Sequence, residues 1–247
     1  MGEVTLAVDS GVAIVTIDSR ETRNGITPEM ADALLGHLET VDGSPSIGAL
    51  VLTGANRTFC SGADTRRWDV QSDPAGAEAF SNSSRIYLTF LRLGTCAVPT
   101  IAAGEGAAVG AGLNLLLAAD LRIVARDMRL LAGFARVGIH PGGGFFSLAA
   151  RALGRDGAAA MGLYNQEISG AAAAQRGLAW EATDPGAALT RALELAAESA
   201  KDPELSRQMV RSMRLQLGPP QVPWDAAIEV ERGVQMWSFR RANGASA

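Results

Sequence analysis

The sequence predicts a mixed α/β fold that is followed by a region of helices alone. Apolar β-branched segments typical of strands recur through the first 185 residues, and segments with apolar residues at helical spacing lie between them. Beyond Asp184, Pro185 and Gly186 only helical spacing remains. The chain is therefore expected to have an α/β core over residues 1–185 and a helical C-terminal part over residues 186–247.

A hairpin and a helix are predicted at the start of the chain. Residues 4–8 and 12–17 are β-branched segments, and Asp9-Ser10-Gly11 between them is a typical turn sequence. Thr27 followed by Pro28 predicts a helix start, because a hydroxyl side chain can cap the first turn and proline suits the first helical position.

Further strands and helices are predicted in the middle of the chain. Residues 47–54, 100–103 and 121–125 are apolar and short, which is typical of buried strands. Glycine-rich backbone follows the second of these strands and leads into a helix over about residues 110–119. Residues 73–93 are more polar and are expected to be helical in part.

Composition and charge exclude several classes of function. The chain has 247 residues with 22 basic and 26 acidic side chains, a net charge of −4 and a pI near 5.3. Nucleic-acid binding needs clusters of basic residues, so no nucleic-acid partner is expected. Two cysteines and two histidines cannot form a disulfide framework or an ordinary zinc site, so no metal is expected.

The distribution of apolar residues also bears on location. No uncharged segment reaches the roughly 18 residues that a membrane helix needs, and the first residues have neither the basic nor the apolar region of a signal peptide. The sequence thus predicts a cytoplasmic protein without membrane contact.

The glycine run from Gly104 to Gly110 allows two interpretations. It follows a strand and precedes a helix, as a dinucleotide-binding turn does, but its spacing is loose and no acidic residue follows at the right distance. Glycines that permit close backbone packing are the favoured interpretation. Phosphate-binding loops, serine-hydrolase elbows and zinc-protease motifs are missing from the sequence.

Two long glycine-bearing turns, residues 51–64 and 99–114, each follow an apolar strand. Their order and spacing resemble the crotonase superfamily, the enoyl-CoA hydratase/isomerase group, over roughly residues 1–185. Other positions that match the family pattern are Arg23, Asn24, Asp120, Leu121, Arg122, Gly138 and Pro141.

The resemblance implies a fold, an assembly and a chemistry. The implied fold is a crotonase-like spiral of ββα units with an all-helical C-terminal trimerisation part, assembled as a homotrimer or hexamer. The implied ligand is an acyl-CoA thioester, whose coenzyme A is part of the substrate and not a separate cofactor. Its carbonyl oxygen would accept hydrogen bonds from the backbone N–H groups of Ala63 and Ala111, beside the helix that opens at Gly110.

Two positions depart from the family pattern. Hydratases of the family carry glutamates where this chain has Asn114 and Phe134. Hydration needs groups that move protons, which an asparagine or phenylalanine side chain cannot do. His140 is the candidate replacement, because histidine is the residue type most often used to carry protons in catalysis; the alternative is an ordinary loop histidine that caps backbone groups.

The resemblance also implies contacts to the rest of the substrate. Backbone around Ser61, Asp64 and Thr65 would contact the adenine, and Asp64 would also brace its turn. Arg23 and Arg66 would bind phosphates, because the guanidinium group matches phosphate oxygens; the alternative is that each is an ordinary surface charge. The full set of implied substrate-binding residues is Arg23, Ser61, Ala63, Asp64, Thr65, Arg66, Gly110, Phe134 and Pro141.

Two functions remain open from the sequence. One is an enzyme of the hydratase/isomerase group whose acid–base residues are non-standard, with Asn114 and His140 as candidate catalytic side chains. The other is a non-catalytic acyl-CoA-binding protein, in which Asn114 and Phe134 close the site to water.

Overall fold

The computed structural model describes residues 2–64, 66, 73, 75–216 and 223–244. The strands in this part of the chain are β1 (Glu3–Asp9), β2 (Val12–Asp18), β3 (Ala49–Gly54), β4 (Thr100–Gly104), β5 (Ala107–Val109), β6 (Leu121–Ala125), β7 (Arg129–Leu131), β8 (Ile168–Ser169) and β9 (Glu181–Thr183). Six of them form one sheet in the order β1-β2-β3-β4-β6-β9. The other three form a small second sheet in the order β5-β7-β8.

Helices alternate with these strands and then follow them. They are α1 (Pro28–Gly43), α2 (Ala77–Gly94), α3 (Ala111–Ala118), α4 (Phe145–Gly162), α5 (Gly170–Gln175), α6 (Ala188–Ala200), α7 (Pro203–Gln216) and α8 (Trp224–Gly244). After β9 the described chain is helical, as the sequence predicts. No helix in the described residues is both long and apolar enough to span a bilayer.

Local sequence signals at the start of the chain are confirmed. Strands β1 and β2 pair antiparallel, and the two residues between them, Ser10 and Gly11, have φ values of 49° and 81°. A two-residue hairpin turn needs these left-handed conformations. The Thr27 hydroxyl accepts a hydrogen bond from the N–H of Met30 at 3.2 Å, which caps α1 ahead of Pro28.

The central strands β3 and β4 of the large sheet are buried on both faces, whereas the edge strand β1 is mostly exposed. From β2 to β9 the strands of this sheet run parallel, which explains why they are almost wholly apolar. Leu50 and Leu52 of β3 belong to the main core with α1, α2 and α3, whereas Val51 belongs to a second cluster with Ala192 of α6. The first helix of the C-terminal part thus covers one face of the sheet.

Candidate functional site

Main-chain hydrogen bonds hold the two glycine-bearing turns side by side. The N–H of Cys60 donates to the carbonyl of Ala107 at 3.0 Å, and the N–H of Val109 donates back to the carbonyl of Cys60 at 3.0 Å. The N–H of Phe59 donates to the carbonyl of Glu105 at 2.8 Å. Burial raises the pKa of the Cys60 thiol to about 12, so this side chain packs as a small apolar group and is no nucleophile.

Two glycines permit this close approach. A Cβ on Gly106 would lie 2.1 Å from the carbonyl oxygen of Arg57, and φ at Gly106 is +63°. A Cβ on Gly112 would lie 2.3 Å from the carbonyl oxygen of Cys60. Both contacts are with main-chain atoms that cannot move aside, so a larger residue at either position would separate the turns.

The turns bring Ala63 and Ala111 to a single central cavity of about 450 Å³. Neither backbone N–H donates to any acceptor in the described chain. Ile26 lies opposite Ala63; its N–H donates to the carbonyl of Gly62, and its carbonyl accepts from the N–H of Asp64, which leaves the N–H of Ala63 unused. Ala111 is the first residue of α3, where an N–H has no partner within the helix. Neither alanine has a positive φ. Two free amide donors therefore line one cavity.

Asn114 lies one helical turn after Ala111 and lines the same cavity. Its Nδ2 donates to the carbonyl of Gly142 at 2.7 Å, and its side chain is 1% exposed. Its Oδ1 is buried without a hydrogen-bond partner among the described residues. Asn114 thus offers an unused acceptor at the position where the resemblance implies a carboxylate.

Phe134 begins a short 3-10 helix, Phe134–Val137, and its ring lines the cavity while packing 5.8 Å from the ring of Phe145. The described lining contains no carboxylate, imidazole, lysine or arginine. Ser61, Ser83 and Tyr87 supply its hydroxyl groups. Gly110 and Ser61 line the cavity, as the sequence predicts.

Comparison with known proteins decides the family. A family model described as enoyl-CoA hydratase/isomerase matches residues 7–238. The chain belongs to the enoyl-CoA hydratase/isomerase family. Its fold is accordingly crotonase-like, as the sequence predicts.

Individual members of the family agree with this assignment. A probable enoyl-CoA hydratase of Mycobacterium tuberculosis, EchA14, is 41% identical over 202 residues, which are 81% of this chain and 76% of the relative. The 1,2-epoxyphenylacetyl-CoA isomerase of Escherichia coli is 29% identical over 96% of this chain and 90% of its own length. The crystal structure of an enoyl-CoA hydratase from a Polaromonas species superimposes with a TM-score of 0.81 at 26% identity, covering 99% of this chain and 94% of that one.

His140 and Pro141 lie on the family's Gly138-x-x-Pro141 loop but are not among the residues that line the cavity. The imidazole Nδ1 lies 2.7 Å from the carbonyl oxygen of Pro141, and the ring packs edge-on against Phe146. Pro141 is buried. The catalytic role of His140 stays a prediction, and its test is given below.

Asp64 and Arg66 form a bidentate pair beside the first turn. Arg66 Nε and Nη2 donate to the two carboxylate oxygens at 2.8 Å each, and Asp64 also accepts from the backbone N–H of Arg66 at 3.3 Å. Asp64 is 8% exposed, whereas the guanidinium side chain is largely exposed. The pair braces the turn and leaves one face of Arg66 open to solvent. Thr65 lies outside the described residues.

Arg23 supports the same turn through its backbone. Arg23 adopts a left-handed backbone conformation with φ 54°. Its carbonyl oxygen accepts a hydrogen bond from the N–H of Ser61 at 3.1 Å. Its exposed side chain lies in a separate surface hollow that Arg20 and Arg57 also line. Three cationic side chains thus lie close to the first turn but outside the central cavity.

Six lining residues come from helices that the motifs do not include. Ser83, Ile86, Tyr87 and Phe90 of α2 and Gln235 and Phe239 of α8 all line the cavity. The α2 residues are spaced as one helical face, a pattern visible in the sequence. Nothing in the local sequence around Gln235 indicates its position, because that position depends on how α8 packs against distant elements.

Glu231 fixes α8, which contributes Gln235 and Phe239 to the cavity, to the start of α4. Its carboxylate accepts hydrogen bonds from the backbone N–H groups of Gly144, Phe145 and Phe146 at 2.7, 3.0 and 3.2 Å. These groups are the otherwise unpaired donors at the start of α4. Burial raises the pKa of Glu231 to about 7, an effect that the three hydrogen bonds oppose without cancelling.

The Glu231 contact predicts a pH-dependent stability. The pKa of Glu231 is about 7 in the folded protein and near 4.5 in the unfolded chain. The protonated carboxyl group therefore adds its full contribution to the free energy of unfolding below pH 4.5, and this contribution is lost as the pH rises through 7. The loss is at most about 3 kcal/mol. We expect the melting temperature of the wild type to fall more steeply between pH 5 and pH 7.5 than that of Glu231→Gln. Parallel melting profiles for the two proteins would contradict this prediction.

Proposed function

We propose that the protein is an acyl-CoA enzyme of the hydratase/isomerase type that polarises the thioester carbonyl of its substrate. The observation that carries the proposal is the pair of free N–H groups of Ala63 and Ala111 in one cavity. When a thioester gains enolate character, negative charge accumulates on its oxygen. Two fixed amide donors stabilise that charge, and the loss of one such donor typically costs about 3 kcal/mol.

The surroundings of the two amides favour the same chemistry. Helix α3 begins at Ala111, so its positive end adds to the potential at the carbonyl oxygen. Ile86 and Phe90 are buried apolar walls that exclude water, and electrostatic interactions strengthen as water is removed. A volume of about 450 Å³ is within the usual range for small-molecule sites.

Coenzyme A binding is the second part of the proposal. Arg23 and Arg66 are exposed near the first turn and are proposed to bind its phosphates. Coenzyme A would arrive as part of the substrate, without a separate cofactor. The mycobacterial relative is named as an enoyl-CoA hydratase and the Escherichia coli relative as an epoxyphenylacetyl-CoA isomerase, which supports this ligand class. Assembly as a homotrimer or hexamer is likewise proposed from the family.

Proton transfer is the part of the mechanism that departs from the family's hydratases. The described lining contains neither a carboxylate nor an imidazole, and His140 is the proposed carrier because it lies on the loop whose residues Ile139 and Gly142 line the cavity. If it acts in this way, His140→Ala will abolish turnover of an enoyl-CoA while the dissociation constant for a saturated acyl-CoA stays nearly unchanged. The measurements are steady-state kinetics and calorimetric titration. Unchanged turnover would remove His140 from the mechanism.

A non-catalytic acyl-CoA-binding protein is the second candidate function. Two features favour this second candidate: the hydrogen bond from Asn114 Nδ2 to the carbonyl of Gly142, and the aromatic ring of Phe134 in the cavity lining. Turnover of crotonyl-CoA and longer enoyl-CoAs, measured alongside acyl-CoA affinity, separates the two candidates. Tight binding without turnover of any acyl-CoA in the panel would favour the binder.

A further inference from the structure

We propose that Tyr87 is a specificity-determining residue that selects acyl groups bearing an oxygen over plain hydrocarbon acyl groups. The inference rests on the proposed acyl-CoA function and extends it to the substrate class. It starts from the position of the Tyr87 side chain, which lies on α2, lines the cavity and is 6% exposed.

The Tyr87 hydroxyl lies against the loop that carries Gly142. It is 2.3 Å from the point that a Cβ of Gly142 would occupy, and Gln235 Nε2 lies at the same distance from that point. A hydroxyl from α2 and an amide from α8 therefore meet beside one glycine. Since Asn114 Nδ2 donates to the carbonyl of this glycine, a third polar side chain adjoins the same place.

The Tyr87 hydroxyl makes no hydrogen bond with the described residues. Burial raises the pKa of Tyr87, so at neutral pH the group remains an O–H that can donate. Ile86 and Phe90 beside it are apolar and offer it no acceptor, and the polar group nearest to it is the side-chain amide of Gln235. The hydroxyl has accessible surface on the cavity, where an oxygen on a bound acyl group would accept a hydrogen bond from it.

Asn114 is a second polar side chain in the lining of the cavity. Its Oδ1 is buried and unpartnered, and because Nδ2 is held by Gly142 the amide orientation is fixed. Asn114 lies about 5 Å along α3 from Ala111, one helical turn. An acyl oxygen held near the thioester carbonyl would accept from Tyr87, whereas a methylene group would leave the hydroxyl without a ligand partner.

Calorimetric binding of two ligands that differ by one oxygen tests the inference. We expect the wild type to bind 3-hydroxybutanoyl-CoA about tenfold more tightly than butanoyl-CoA, the upper end for one net hydrogen bond. Tyr87→Phe keeps the ring, so its affinity for butanoyl-CoA should change less than about twofold while the preference disappears. Tyr164→Phe, which removes an exposed tyrosine hydroxyl outside the cavity lining, should retain the wild-type preference.

The outcomes separate this inference from the proposed function. Failure of the wild type to bind butanoyl-CoA at all would overturn the proposed function and the inference with it. Equal binding of the two ligands by the wild type, or a preference retained by Tyr87→Phe, would overturn the inference alone. The melting temperature gives a second test. Because the hydroxyl is unpaired in the free protein, Tyr87→Phe should melt no lower than the wild type, and a clear drop would show a structural role instead.

Discussion

Replacing Ala111 with proline is expected to reduce turnover of a thioester substrate by roughly two to three orders of magnitude, the usual cost of losing one donor to a developing oxyanion. Proline removes the N–H that lines the cavity. The substitution suits the helix, because Ala111 is the first residue of α3 and proline is well tolerated there. The proline ring carbon takes the place of the amide hydrogen, so the dissociation constant of a saturated acyl-CoA is measured beside turnover to separate loss of binding from loss of the donor.

Ala111→Gly is the matched control, since glycine also changes the side chain but keeps the N–H. Infrared difference spectra of a ¹³C-labelled thioester carbonyl provide a readout that does not depend on knowing the reaction. The carbonyl stretch should shift to lower frequency in the wild type and in Ala111→Gly, and should return towards its solution value in Ala111→Pro. An equal shift in all three proteins would show that the Ala111 amide does not contact the carbonyl.

The extent to which sequence predicts this fold depends on the range of the interactions. The Ser10-Gly11 turn and the Thr27 cap are encoded by neighbouring residues, and both are confirmed. Strands β5, β7 and β8 have only two or three residues each, and pairing with distant partners defines them. So short a segment carries too little periodicity to distinguish a strand from a loop.

The candidate site divides in the same way. The turns that carry Ala63 and Ala111 are recognisable because the glycines needed for their close approach are fixed by backbone geometry. The contribution of α8 is not recognisable. Glu231 reaches the start of α4 from more than 80 residues along the chain, and only tertiary packing places it there. The sequence thus locates the proposed carbonyl site, whereas the residues that α8 contributes to the cavity lining are known only from the structure.

Restoring the two missing carboxylates is expected to create or raise hydratase activity. Asn114 and Phe134 both line the cavity that Ala111 lines, so the glutamates of an Asn114→Glu, Phe134→Glu double variant would be within reach of a water beside the acyl group. Positioned general acid–base groups contribute about 10²–10⁴-fold, and the gain in crotonyl-CoA hydration should fall in that range. The measurement is the loss of enoyl-CoA absorbance with time.

The double variant Asn114→Gln, Phe134→Gln controls for size and for the broken Asn114–Gly142 hydrogen bond, because glutamine has the shape of glutamate without its acid–base chemistry. The glutamine variant should show no gain. A gain in both variants would mean that opening the cavity to water is sufficient. Acyl-CoA binding without any gain in the glutamate variant would mean that more than the carboxylates separates this cavity from that of a hydratase. In that case the shape that α2 and α8 give to the cavity would determine the reaction, and the set of acid–base side chains would not.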